Sequence, residues 1–191
     1  ENQPSTFTDP RDGRTYKMVK IGSQYWMAEN LNYASTGWCY DDITENCNIY
    51  GRLYTWEQAM AGQASSSLNP SGVQGICPPG WHLPSDNEWS QLTDWLEANG
   101  HSYSQGTALK ASSAHSPPWI GTDNYGFSAL PGGYRFTDGS FDYLGSLGVW
   151  WSATEASSTN AWYRYLDSID DGVNRHNHSN DYGFSVRCIR D

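Results

Sequence analysis

Hydrophobic positions along this chain shift from a strand-like pattern to a helical one and then back. Residues 15–27, Thr-Tyr-Lys-Met-Val-Lys-Ile-Gly-Ser-Gln-Tyr-Trp-Met, hold two short runs around Gly22-Ser23 and predict a hairpin. Residues 50–61 place Leu53, Trp56, Ala59 and Met60 at helical spacing with Gly62 behind them, which predicts a first helix. A loop rich in Ser, Gly and Asn follows over 62–76. The second helix has the stronger signal. Ser85-Asp86-Asn87-Glu88 forms a capping box, Trp89, Leu92, Trp95 and Leu96 line one face, and Gly100 stands where a terminating glycine belongs. The tryptophans of that stripe read as core. Beyond residue 100 the helical pattern ends. Short runs at Phe127–Leu130, Tyr134–Phe136, Ser140–Leu144, Val149–Ala153, Ala161–Leu166, Val173–His176 and Phe184–Ile189 read as strands. Asp170-Asp171-Gly172 is a hairpin-turn signal between two of them. Asn124-Tyr125-Gly126-Phe127-Ser128 is echoed by Asp181-Tyr182-Gly183-Phe184-Ser185, which marks two similar strand entries, each with an inward Phe.

Alternation along a strand sends neighbouring side chains to opposite faces. Trp150 and Trp151 therefore cannot share a face, nor can Trp162 and Tyr163, and one ring of each pair must meet another layer, a loop or solvent. The same rule puts His176 and His178 on one side of their strand. Ten Trp and thirteen Tyr against five Phe give the chain many rings with a polar handle, suited to a partly wet surface as well as to a core. Flat rings that stack on sugar faces, with amides and guanidinium groups reading hydroxyls at the edge, are the chemistry of neutral glycan recognition. On this basis the candidate ligand-binding residues are Trp119, Tyr134, Tyr143, Trp150, Trp151, Trp162, Tyr163, Arg175 and Asn177.

A net charge of −10 disfavours nucleic acid, anionic membranes and sulfated polymers, and leaves neutral polymers and cations open. No apolar run approaches the ~20 residues that span a bilayer. Residues 1–9 are polar and lack the apolar stretch of a signal peptide, so the sequence reads as a mature chain or a segment of a larger protein. Residues 1–6 read as a linker or tail to one domain covering 1–191. The cysteines Cys39, Cys47, Cys77 and Cys188 form no C-x-x-C motif, and their even number points to structural disulfides and an exported chain. Cys39 and Cys47 bracket a short polar loop, so the simplest pairing is Cys39 with Cys47 and Cys77 with Cys188; buried free thiols are the alternative. Asp123, Asp138, Asp142, Asp170 and Asp171 gather hard oxygen ligands in loops and make a structural calcium ion a candidate, although Asp-Gly pairs are also ordinary turn chemistry. Arg135, Arg164, Arg175 and Arg187 lie on or beside strands, where an arginine usually pairs with a carboxylate. For catalysis, no carboxylate pair and no H-E-x-x-H stands out, and the domain reads as non-catalytic.

Several motifs follow one another in a fixed order: Trp26-Met27-Ala28-Glu29-Asn30-Leu31-Asn32, Tyr50-Gly51-Arg52-Leu53-Tyr54-Thr55-Trp56, Cys77-Pro78-Pro79-Gly80-Trp81-His82-Leu83-Pro84-Ser85, Trp150-Trp151-Ser152-Ala153-Thr154-Glu155 and Gly183-Phe184-Ser185-Val186-Arg187-Cys188. The set resembles the Fibrobacter succinogenes major paralogous domain, found on secreted proteins of fibre-degrading and gut bacteria. It is also similar to C-type-lectin-like folds of the formylglycine-generating-enzyme type. The resemblance implies an α+β fold, with two helices flanking a twisted antiparallel sheet and long irregular loops. The reactive late cysteine pair of formylglycine-generating enzymes has no counterpart, since only Cys188 lies beyond residue 77. The resulting expectation is a secreted or cell-surface module that binds neutral plant-type polysaccharide such as cellulose, xylan or mannan. A protein-binding adhesion module on the same fold, meeting an envelope protein, is the alternative.

Overall fold

A computed structural model describes residues 5–190. The chain begins with strand β1 (Ser5–Thr8), which pairs with β2 (Thr15–Ile21). Ser5 and Thr6 therefore belong to a sheet and not to a tail, since Ser5 faces Met18 and Thr6 faces Lys17; residues 1–4 lie outside the described residues. Strand β3 (Gln24–Met27) completes the expected hairpin, with Ile21 opposite Gln24 across Gly22-Ser23. Glycine is required at 22 because φ is +60° there and a Cβ would come within 2.8 Å of the Trp95 ring.

The first helical stretch differs from expectation. Helix α1 (Thr44–Tyr50) occupies what reads as a polar loop, and α2 spans only Trp56–Met60. Gly51, at φ +75°, ends the first helix, and Leu53 forms an isolated bridge to Trp38 and Tyr54 one to Phe184. Leu53 thus falls at helical spacing while lying in extended chain. Helix α2 has its own capping box, in which Thr55 and Gln58 satisfy each other's backbone amides.

Strand β4 (Trp81–His82) leads into α3 (Asp86–Ala98), which starts at the Ser85–Glu88 capping box as predicted. Trp89, Leu92 and Leu96 are buried, and Trp95 is half-buried at the edge of the stripe. A short helix α4 (Gln105–Leu109) follows where no helix was expected. Phe127–Leu130 forms no ladder of its own, and Ala129 makes only a bridge to Lys110.

The late strands are β5 (Gly132–Arg135), β6 (Phe141–Leu144), β7 (Leu147–Ser157), β8 (Asn160–Asp167), β9 (Asn174–Ser179) and β10 (Ile189–Arg190). Every strand ladder is antiparallel. The sheets run β1-β2-β3-β10-β4, β5-β6 and β7-β8-β9. Phe184–Ile189 is mostly extended chain held by single bridges, and only its end joins a sheet. The architecture is mixed α+β with one long helix. Both disulfides form as paired from the sequence, Cys39–Cys47 and Cys77–Cys188.

Strand β7 is covered on both sides. Val149, Trp151 and Ala153 belong to one apolar cluster with Tyr54, Phe184 and Cys188, whereas Trp150 belongs to a second with Trp26, Trp89 and Phe127. Alternation separates the two indoles as predicted, but neither reaches solvent. Trp150 is 1% and Trp151 0% exposed, and their ring N–H groups donate to Asn30 Oδ1 and the Tyr54 carbonyl.

Candidate functional site

The face of β8 opposite α3 stays partly open, and its side chains form a cleft. Register explains the lining. Tyr163 stands opposite Trp151 on one side and His176 on the other, Tyr165 opposite Val149, and Ala161 opposite His178. Leu147 and Val149 of β7, Tyr163 and Tyr165 of β8, His176 and His178 of β9, Tyr134 of β5 and Phe184 line a hollow of about 170 Å³. Phe184 is buried beneath it, 4.8 Å from Tyr163 and 5.5 Å from Tyr134, ring centre to ring centre. Tyr143 stacks on Tyr134 at 5.2 Å, and Tyr182 lies 4.0 Å from His178, which extends the aromatic surface.

Among the described residues, no Asp, Glu, Lys or Arg side chain lines the cleft. Burial, reinforced by neighbouring phenols, pushes the Tyr134 and Tyr163 hydroxyls up to about 12, so both are neutral at physiological pH. Burial first, and then His176, holds the His178 imidazole below the usual histidine range. In a chain of net charge −10 the result is an uncharged aromatic surface. Its hydroxyls have no assigned work: those of Tyr134, Tyr163 and Tyr165 have no hydrogen-bond partner among the described residues, whereas the core hydroxyl of Tyr16 receives the Asn32 amide and that of Tyr54 bonds the Tyr33 backbone.

Residues 19–190 match the Fibrobacter succinogenes major domain. The chain belongs to that family. No curated protein and no solved structure matches it.

Within this Fibrobacter succinogenes major domain, the cleft unites only some of the residues singled out by sequence. Tyr134 and Tyr163 line it, and Tyr143, 41% exposed, stands at its rim. Trp119 is buried like Trp150 and Trp151, so none of these three offers a ring to solvent. The correction has a common ground in packing from distant segments: α3 and the Phe127 segment cover Trp150, Tyr54 and Phe184 cover Trp151, and Trp119 joins the same apolar cluster as Trp150. Trp162 lies on the opposite face of β8, with the Arg175 guanidinium 3.4 Å above its ring. Arg175 also pairs with Asp86, which receives Arg164 as well, at 2.9 and 2.6 Å. These two arginines thus follow the expected carboxylate pairing. Asn177 accepts a hydrogen bond from Asn160 and is likewise away from the cleft lining. Tyr165, which ends the aromatic stretch expected to meet a ligand, also lines the cleft, whereas Leu147, Val149, His176, His178 and Phe184 line it without having been chosen as ligand contacts. Alternation along β8 and β9 carries a signal for Tyr165 and both histidines, but the register between strands does not show in the sequence.

The acidic loops are organised as turns. Asp123 accepts from the Ser128 amide and hydroxyl, Asp138 from those of Ser140, and Asp142 from the Tyr143 amide. Asp170 accepts from Gly172 and Asn174, and Asp171 from the Thr107 hydroxyl. Among the described residues, no group of three or more His, Cys, Asp and Glu side chains is placed to hold a metal ion. The Lys110 ammonium donates to the carbonyls of Asp167 and Asp170, so this loop already receives a positive charge from the protein itself.

Proposed function

We propose that the domain is a non-catalytic binding module for neutral polysaccharide, and that the cleft around Tyr134, Tyr163 and Tyr165 is its sugar site. One observation carries this reading: an uncharged aromatic hollow whose three phenol hydroxyls have no hydrogen-bond partner among the described residues. Such a surface offers flat apolar area to a sugar face and free donors and acceptors to its hydroxyls, while a charged ligand would find no counter-ion. The motifs shared with C-type-lectin-like domains support the same fold here. The two disulfides support export to an oxidising compartment, as a secreted or cell-surface module. No helix among the described residues is long and apolar enough to cross a membrane.

Retention on insoluble cellulose, xylan, mannan and chitin tests the reading. The domain is expected to be held by at least one polymer at neutral pH. Tyr165→Ala or Tyr143→Ala should weaken retention roughly tenfold, the loss of one stacked ring. Trp162→Ala, on the other face of β8, should leave it unchanged. Retention on none of the four polymers would count against a polysaccharide ligand and favour the adhesion-module alternative.

A further inference from the structure

The two cleft histidines are held in different tautomers by their own backbone. His176 Nδ1 lies 2.8 Å from the Asn177 carbonyl oxygen. A carbonyl oxygen only accepts, so the proton sits on Nδ1, and Nε2 carries the lone pair. His178 is the reverse. Its Nδ1 accepts from the Ser179 amide at 2.9 Å, which places the proton on Nε2. Neither Nε2 has a hydrogen-bond partner among the described residues. Because both side chains line the cleft and both turn Nδ1 back to the strand, their outer nitrogens are left for whatever enters it. Position i and i+2 on one strand are separated by roughly 7 Å.

We propose that His176 and His178 are the specificity-determining pair of the cleft, His176 accepting from one hydroxyl of an uncharged saccharide and His178 donating to another. The proposal rests on the sugar-binding reading and narrows it. The spacing suits hydroxyls on opposite edges of one sugar ring, or on adjoining residues of a linear chain whose face lies on Tyr163. It excludes uronic acids, because the acceptor nitrogen of His176 would face their carboxylate. Acidification must weaken binding: protonation of His178 costs the Ser179 amide its acceptor and brings positive charge into a cleft that no carboxylate lines among the described residues. The groups facing the histidines there are Tyr163 and Tyr165 from β8, Tyr134 from β5 and Tyr182 from the segment after β9, all of them phenols. Arg175 and its partner Asp86 lie behind the strand.

The experiment is calorimetric titration of the whole domain with cellohexaose, xylohexaose and mannohexaose between pH 7.5 and 4.5, with circular dichroism and melting curves on each variant. The wild type should bind at least one oligosaccharide at pH 7.5 and lose about tenfold in affinity by pH 4.5. His176→Phe and His178→Phe, which keep a ring against the cleft wall, should each lose about tenfold at pH 7.5. The double variant His176→Gln with His178→Gln supplies an acceptor and a donor that do not titrate, so it should retain part of the affinity with a flat pH profile. A flat wild-type profile, or full affinity in folded His176→Phe and His178→Phe proteins, would overturn the proposal while leaving the sugar site standing. Failure of the wild type to bind any of the three, or chitohexaose, at pH 7.5 would overturn both.

Discussion

The Arg187 side chain is fully buried, and its guanidinium donates to Asn30 Oδ1 and to the carbonyls of Met27, Phe127 and Ser128. Unlike Arg164 and Arg175, it has no carboxylate within ion-pair distance among the described residues. Its charge lies over the Phe127 ring at 4.3 Å and the Trp150 ring at 5.7 Å, so aromatic faces add to the more distant influence of Asp123 and Glu29. Burial pulls its pKa down from the ordinary arginine value, which states the same cost in other terms. What the residue supplies is a planar fork that reaches four acceptors contributed by two separate parts of the chain, residues 27–30 and 127–128. Lysine has its donors on one atom and cannot span them. Both Arg187→Lys and Arg187→Met should therefore destabilise the fold by roughly 3 kcal/mol, since each leaves buried carbonyls unpaired. Urea unfolding midpoints decide it, and an Arg187→Lys midpoint equal to wild type would refute the role of the fork.

At the level of elements, the entry to α3 shows how one side chain joins several segments. Glu88 Oε2 accepts from the amides of Ser85 and Ser71, Oε1 lies 2.7 Å from His82 Nε2, and its backbone carbonyl receives the Gln24 side chain. The capping box is thus also a junction between the helix, β4, the loop before it and the first hairpin. Ser85→Ala removes only the cap and should cost about 1 kcal/mol. Glu88→Ala also removes the carboxylate that meets the Ser71 amide and His82 Nε2 on two other segments, while the backbone carbonyl that receives Gln24 stays, and it should cost at least twice as much, about 3 kcal/mol or more. Equal losses in thermal unfolding would show that Glu88 acts on the helix end alone. The contrast also marks what a sequence discloses. The box was legible because its partners lie three residues apart, and the Gly22-Ser23 hairpin and the short Cys39–Cys47 loop were legible for similarly local reasons; the late strands showed in their apolar runs, except at Phe127–Leu130 and most of Phe184–Ile189. Helix α1 was hidden because it buries only Cys47 and so carries no apolar period. The burial of Trp150 and Trp151 was hidden because alternation says that two faces differ but not what covers each. Their covers, Trp89 on one side and Phe184 on the other, come from distant segments. The cleft was half visible for the same reason: its rings alternate along β8, but the register that sets His176 beside Tyr163 is a tertiary fact.

Across the whole molecule, two apolar clusters lie back to back on β7, and the Cys77–Cys188 bridge belongs to the one beneath the cleft. Cys188 directly precedes β10 and Cys77 lies just before β4, so the bridge ties the pair of strands in which Ile189 faces His82. It closes a separation of 111 residues, against 8 for Cys39–Cys47. In the loop-entropy account the long closure contributes about 4–5 kcal/mol and the short one about 2–3. Access runs the other way: Cys77 and Cys188 are 0% exposed, while Cys39 retains 8%. Exchange needs a thiolate to reach a sulfur atom, so native-state reduction should open Cys39–Cys47 first and leave Cys77–Cys188 intact until the domain unfolds. Dithiothreitol treatment at neutral pH, followed by alkylation and peptide mass mapping, should find label on Cys39 and Cys47 while circular dichroism is still native. The double variant Cys39→Ala with Cys47→Ala should fold and keep the cleft, whereas Cys77→Ala with Cys188→Ala should lower the melting temperature by the larger amount. Label appearing on Cys188 before Cys39 would mean that β10 opens independently of the core. The strand pair under the cleft would then be its weakest part, not its anchor.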